Sequence, residues 1–213
     1  MKSVRVFYKK KGRMKFVSHL DMNRYFLRLV KLAKLPIWYT EGFNPHPYIT
    51  FALPLSLGFE SEYEVVDMRV EDGCGFEEIK TRLSQNAVEG IEIFGVDSPK
   101  LKPSEILKAE YRLEFDGEFD TEGLAEFLKR DSIIAFKKTK KGVEKQINLG
   151  EMIFDFDINE NASTVVEIVL SAGESNLNPL LLIDTYTEMT GIRLPEFAVT
   201  RTKLLTRSGE LFV

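Results

Sequence analysis

Apolar residues along this chain change their spacing from two to about 3.6 and back, in the same order in both halves. Val4-Arg5-Val6-Phe7-Tyr8 alternates and is rich in strand formers, the pattern of a β-strand. Met22, Phe26, Leu29, Val30 and Ala33 recur at i, i+4, i+7, i+8 and i+11, which puts them on one helix face. Ser18 and Asp21 have capping-box spacing at its start, and Pro36 ends it. Residues 37–40 read as extended. Glu41-Gly42-Phe43-Asn44-Pro45-His46-Pro47 is a loop that its prolines keep out of helix. Residues 48–53 and 63–70 read as strands, 76–87 as a helix, and 91–96 as a strand after Gly90. In the second half, 111–115 reads as a strand and 121–130 as a helix. Strand material follows at 133–136 and 144–158, on either side of Gly142, and at 164–170. Asn178-Pro179 opens a helix that Gly191 closes, and 197–205 is a last strand. The expected class is α+β, as two tandem ferredoxin-like βαββαβ units. They would occupy residues 1–98 and 108–213, joined by a Pro- and Lys-rich linker over 99–107.

With 44% apolar residues the chain can build a packed core. Its single cysteine, Cys74, excludes a disulfide scaffold and a zinc site made of several thiolates. Apolar runs reach no more than four residues, as at Leu180–Ile183, far from the roughly 18 that mark a membrane span. No basic-then-apolar leader follows Met1, so the expected compartment is the cytoplasm, without membrane association. Charge is unevenly spread. Residues 1–50 carry eleven Lys and Arg against Asp21 and Glu41, a balance of +9, whereas the remainder stands at −13. A basic first quarter points to an anionic partner, although a solvated basic face has the same composition.

The two histidines, His19 and His46, both lie in that quarter. Ser18 and His19 sit at a helix start, whose free N–H groups suit an anion. Arg24, Arg28 and Lys31 follow at i, i+4 and i+7 on a second helix face, placed to meet phosphates. Trp38, Phe43 and Tyr48, with Asn44, cluster in sequence around His46 and offer ring faces for stacking on bases, or simply core packing. Two histidines could also serve as a general acid–base pair for a metal-independent ribonuclease or RNA-modifying reaction. No i, i+4 histidine pair, CxxC, GxGxxG or phosphate-binding loop motif is present, so neither metal nor cofactor is expected. The acids at 60–64 and 114–122 read as solvated faces, and Asp155 and Asp157 as part of a half-buried strand. Residues 137–142 read as a basic hairpin tip. Arg201, Lys203 and Arg207 could extend a basic stripe.

Phe16-Val17-Ser18-His19-Leu20-Asp21, Arg24, Arg28, Leu35-Pro36, Gly42-Phe43-Asn44-Pro45-His46-Pro47 and Phe51-Ala52-Leu53-Pro54-Leu55-Ser56-Leu57-Gly58 together resemble the bacterial radical SAM-linked family, a domain of unknown function. The resemblance covers about residues 1–70. Lys31 and Lys34 stand where many members have arginine, and Tyr48 where a lysine is common. The resemblance implies a setting beside a cobalamin-dependent radical SAM protein, often near ribosomal protein genes, and supplies no iron–sulfur ligands. The resulting expectation is an RNA-binding accessory module, for ribosomal or transfer RNA, without catalysis of its own. The alternatives are the His19/His46 enzyme and a docking module that binds the radical SAM partner but no RNA.

Overall fold

The computed structural model describes residues 1–138, 144–160 and 163–213. Two compact units emerge. The first comprises residues 1–105 with 201–204 and 211–213; the second comprises 106–200 with 205–210. The last strand is thus divided between them, and the chain end belongs with the first unit. The α+β class expected from periodicity holds.

In the first unit, β1 (Lys2–Lys10) is the central strand. It pairs antiparallel with β3 (Glu60–Val70) on one side and β4 (Ile91–Asp97) on the other. The short β2 (Ile49–Phe51) pairs antiparallel with β3, so the order is β4-β1-β3-β2. Helices α1 (His19–Leu32) and α2 (Phe76–Asn86) carry the complementary apolar faces. Met22, Phe26, Leu29 and Val30 of α1, with Ile79 and Leu83 of α2, meet Val4, Val6, Tyr8, Val66, Met68 and Val70 in one buried cluster. Burying a side chain such as Phe26 is worth about 1.5–3 kcal/mol.

Strand β1 is buried on both faces. Its other face holds Phe7 against Tyr63 and Phe94, and Arg5 beneath the Phe212 ring. Arg5, which the charge balance placed on a basic surface, is wholly buried. It makes a fork onto both Asp67 oxygens at 2.7 Å and donates to the carbonyls of Leu101 and Val213.

In the second unit, β5 (Lys108–Phe115) and β8 (Ile153–Glu160) flank β9 (Thr164–Ser171), both antiparallel to it. Residues 197–200 of β10 (Phe197–Leu205) lie beside β5, giving β10-β5-β9-β8. Helix α3 (Thr121–Leu128) is capped by Asp120. Helix α4 (Pro179–Thr190) starts at the Asn178 cap and ends at Gly191, whose φ of 74° is the left-handed geometry that favours glycine there. Between α3 and β8 the chain adds a hairpin, β6 (Ile134–Lys138) with β7 (Glu144–Asn148). Sequence patterning registered its strands without separating them from the main sheet. The tip expected at 137–142 lies largely outside the described residues.

A candidate anion-binding region in the first unit

Helix α1 starts as its sequence predicts. The Ser18 hydroxyl accepts from the Asp21 N–H and donates to the Asp21 carboxylate, which also accepts from Arg24 at 2.9 Å. The Ser18 hydroxyl, then Arg24, hold the Asp21 carboxyl below the usual carboxylate range. Arg24, Arg28 and Lys31 are all exposed along the helix. Leu20 is exposed as well, beside His19, whose ring meets the Phe51 ring edge-on at 5.1 Å.

The loop before β2 closes on itself. Thr40 N–H donates to the His46 carbonyl, and His46 N–H donates to the Thr40 hydroxyl. His46 Nδ1 lies 3.1 Å from that hydroxyl and 3.2 Å from the Asn44 carbonyl. Gly42 supports the turn with a φ of 124°. Phe43 stands fully exposed at the tip, and Asn44 and His46 are exposed beside it. Trp38 and Tyr48 do not join Phe43. They are half-buried and enclose the Arg69 guanidinium, which lies 4.4 Å from the Tyr48 ring centre and 5.2 Å from that of Trp38, a cation–π arrangement. His19 and His46 therefore have different neighbours: Phe51 for one, Thr40 and Asn44 for the other.

Three charged groups that sequence reading placed on surfaces are buried together. Lys10 continues the inward phase of Val4, Val6 and Tyr8, and is 2% exposed. Glu64, read as part of a solvated acidic stretch, is directly opposite Tyr8 on β3 and equally buried. Arg201, read as part of a basic stripe, is 1% exposed and donates to both Glu64 oxygens at 2.7 Å. Its remaining donors reach the carbonyls of Leu53 and Pro54. A charge-assisted fork of this kind is stronger and more directional than a neutral hydrogen bond. Burial and the Glu64 charge push the Tyr8 hydroxyl well above the usual tyrosine range. Burial pushes the Lys10 ammonium down, against the pull of Glu64. Tyr8, Lys10, His19 and Glu64, with Met22, Phe51, Leu53 and Leu55, line a narrow pocket. The phase of the strands was the available signal: Lys10 is in register with Val4 and Val6, and Glu64 with Val66 and Met68.

Among the described residues, no three or more His, Cys, Asp or Glu side chains gather as a metal site. No helix among them is long and apolar enough to cross a membrane.

A family model described as "Uncharacterized protein conserved in bacteria (DUF2344)" matches residues 3–179. The chain belongs to this family. No curated protein matches it. In fold, this DUF2344 member is similar to a chain of the "Crystal Structure of a Cbf5-Nop10-Gar1 Complex", with a TM-score of 0.50 and 8% identity. The likeness covers 93% of this chain and 48% of the other, so this chain spans about half the length of that relative. At that identity the similarity concerns the fold alone.

Proposed function

We propose that the chain is an RNA-binding accessory module, for ribosomal or transfer RNA, that works with a cobalamin-dependent radical SAM partner. The observation that carries the RNA part is the segregation of cations in the first unit. Arg5, Lys10 and Arg201 are buried, whereas Arg24, Arg28 and Lys31 line one exposed stretch of α1. Exposed cations four and three residues apart on a helix can each meet a phosphate. Phe43, exposed on a loop braced by Thr40 and His46, offers a ring to an unpaired base. Support for the radical SAM partner is the motif resemblance alone. We also read both units as ferredoxin-like, because β4-β1-β3-β2 and β10-β5-β9-β8 are the same antiparallel order. The extra β6–β7 hairpin is then an insertion in the second unit.

A second reading, docking of a protein partner without RNA, is favoured by one observation. Phe16, Leu20 and Leu57 are each more than 60% exposed, and Gly58 N–H donates to the Lys15 carbonyl, which holds residues 57–58 beside 15–16. The ribonuclease reading has less behind it, since His19 and His46 engage different neighbours. Binding of the purified chain to bulk ribosomal and transfer RNA separates the two main readings. Binding at low salt that weakens as salt rises is the expected result. Co-purification with a radical SAM protein and no RNA affinity would favour docking.

A further inference from the structure

The buried charges beneath His19 do not balance. Arg201 faces Glu64 with a fork that occupies both carboxylate oxygens. Lys10 is left over. Its ammonium has three donors, and among the described residues it donates to one acceptor, the Val17 carbonyl at 3.0 Å. A buried ammonium with donors to spare is costly unless something meets it. Beside it is a cavity of about 10 Å³, room for one water-sized atom. Tyr8 and Glu64, the latter held by Arg201, share its lining with Lys10; Met22, Phe51, Leu53 and Leu55 form its apolar wall, and exposed His19 stands at its rim. An apolar wall strengthens the attraction between the ammonium and an opposite charge. A neutral water would satisfy one donor and leave two buried cations, Lys10 and Arg201, against the single Glu64 carboxylate.

From this we infer that the pocket is an oxyanion site: one oxygen of a phosphate group seats against Lys10, and the rest of the group lies at the mouth beside His19. The ligand is a phosphate, free or at the end of a nucleic-acid strand. The inference stands on the pocket and does not need the α1 surface to bind RNA.

The test is titration of the full chain with inorganic phosphate, followed by calorimetry and by the His19 ring resonances. In parallel, one short oligoribonucleotide is compared with and without a 5′-phosphate. Saturable binding that shifts His19 is expected, weakened about 10- to 100-fold in Lys10→Met, the loss expected for one hydrogen bond to a charged group. Should Lys10→Met fail to fold, His19→Gln at the exposed rim must weaken binding in its place. Saturation by inorganic phosphate assigns the site to a free anion. Preference for the 5′-phosphorylated strand without binding of inorganic phosphate assigns it to a nucleic-acid end. Two outcomes overturn the inference. One is a variant that folds and binds phosphate as the parent does. The other is no phosphate binding together with equal affinity for both oligonucleotides. The RNA reading fails separately, if neither oligonucleotide binds.

Discussion

Arg201 and Arg28 are the same residue type in the same unit, yet they do different work. Arg201 is enclosed by Glu64 and two carbonyls, so its charge is part of the packing. Arg28, like Lys31, projects from α1 into solvent, where charge contributes little to the fold and is open to a ligand. The contrast shows that a basic first quarter is not one surface. Arg5 and Lys10 are interior groups, whereas Arg24, Arg28 and Lys31 stand exposed on the helix.

The sharpest way to break that contrast is to remove Glu64. Glu64→Ala leaves Arg201 buried without its counter-charge, which should cost about 3–5 kcal/mol in urea unfolding. The double variant Glu64→Leu/Arg201→Met should recover most of it, because well-packed apolar groups can replace a buried ion pair. A loss within the range of surface substitutions for Glu64→Ala would mean that the pair is not buried as described.

Lys10 gives a pH signature. Burial lowers its folded-state pKa below the 10.5 of an unperturbed lysine. Between those two values the unfolded chain holds a proton that the folded chain has released, so stability rises with pH through that window. Lys10→Met should lack this rise in urea unfolding followed up to pH 10. Parallel pH profiles for parent and variant would remove Lys10 from the interior.

Helix caps come next in size. Ser18→Ala and Asn178→Ala each remove a capping acceptor, one from each unit, and should cost about 1 kcal/mol. A much larger loss at Ser18 would tie the Asp21–Arg24 arrangement to more than the first turn of α1. Smallest of all, Arg28→Ala/Lys31→Ala should leave stability within about 0.5 kcal/mol per site, as for exposed positions elsewhere.

Local signals were legible in the sequence because they act within a few residues. The β1 alternation, the Ser18–Asp21 cap, the Asn178 cap with Pro179 and the Gly191 terminator all appear in the fold where periodicity and turn chemistry put them. The pocket was not legible. Glu64 and Arg201 are 137 residues apart, and nothing near Glu64 in the sequence identifies the distant arginine that pairs with it. Trp38 and Tyr48 escaped for the same reason: their ring faces meet Arg69, which lies on β3. Strand phase was the one clue that reached across, since it put Lys10 and Glu64 in step with core residues of their own strands.

The most direct test of the division between interior and helix cations is the salt dependence of RNA affinity, measured for the parent and for Arg28→Ala/Lys31→Ala. On single-stranded RNA the slope of log K against log salt is about −0.7 for each phosphate neutralised. If both residues meet phosphates, the variant's slope should be shallower by about 1.4 while its stability is unchanged. An unchanged slope in a folded variant would contradict the account and move the RNA contact, or the anionic partner itself, away from α1.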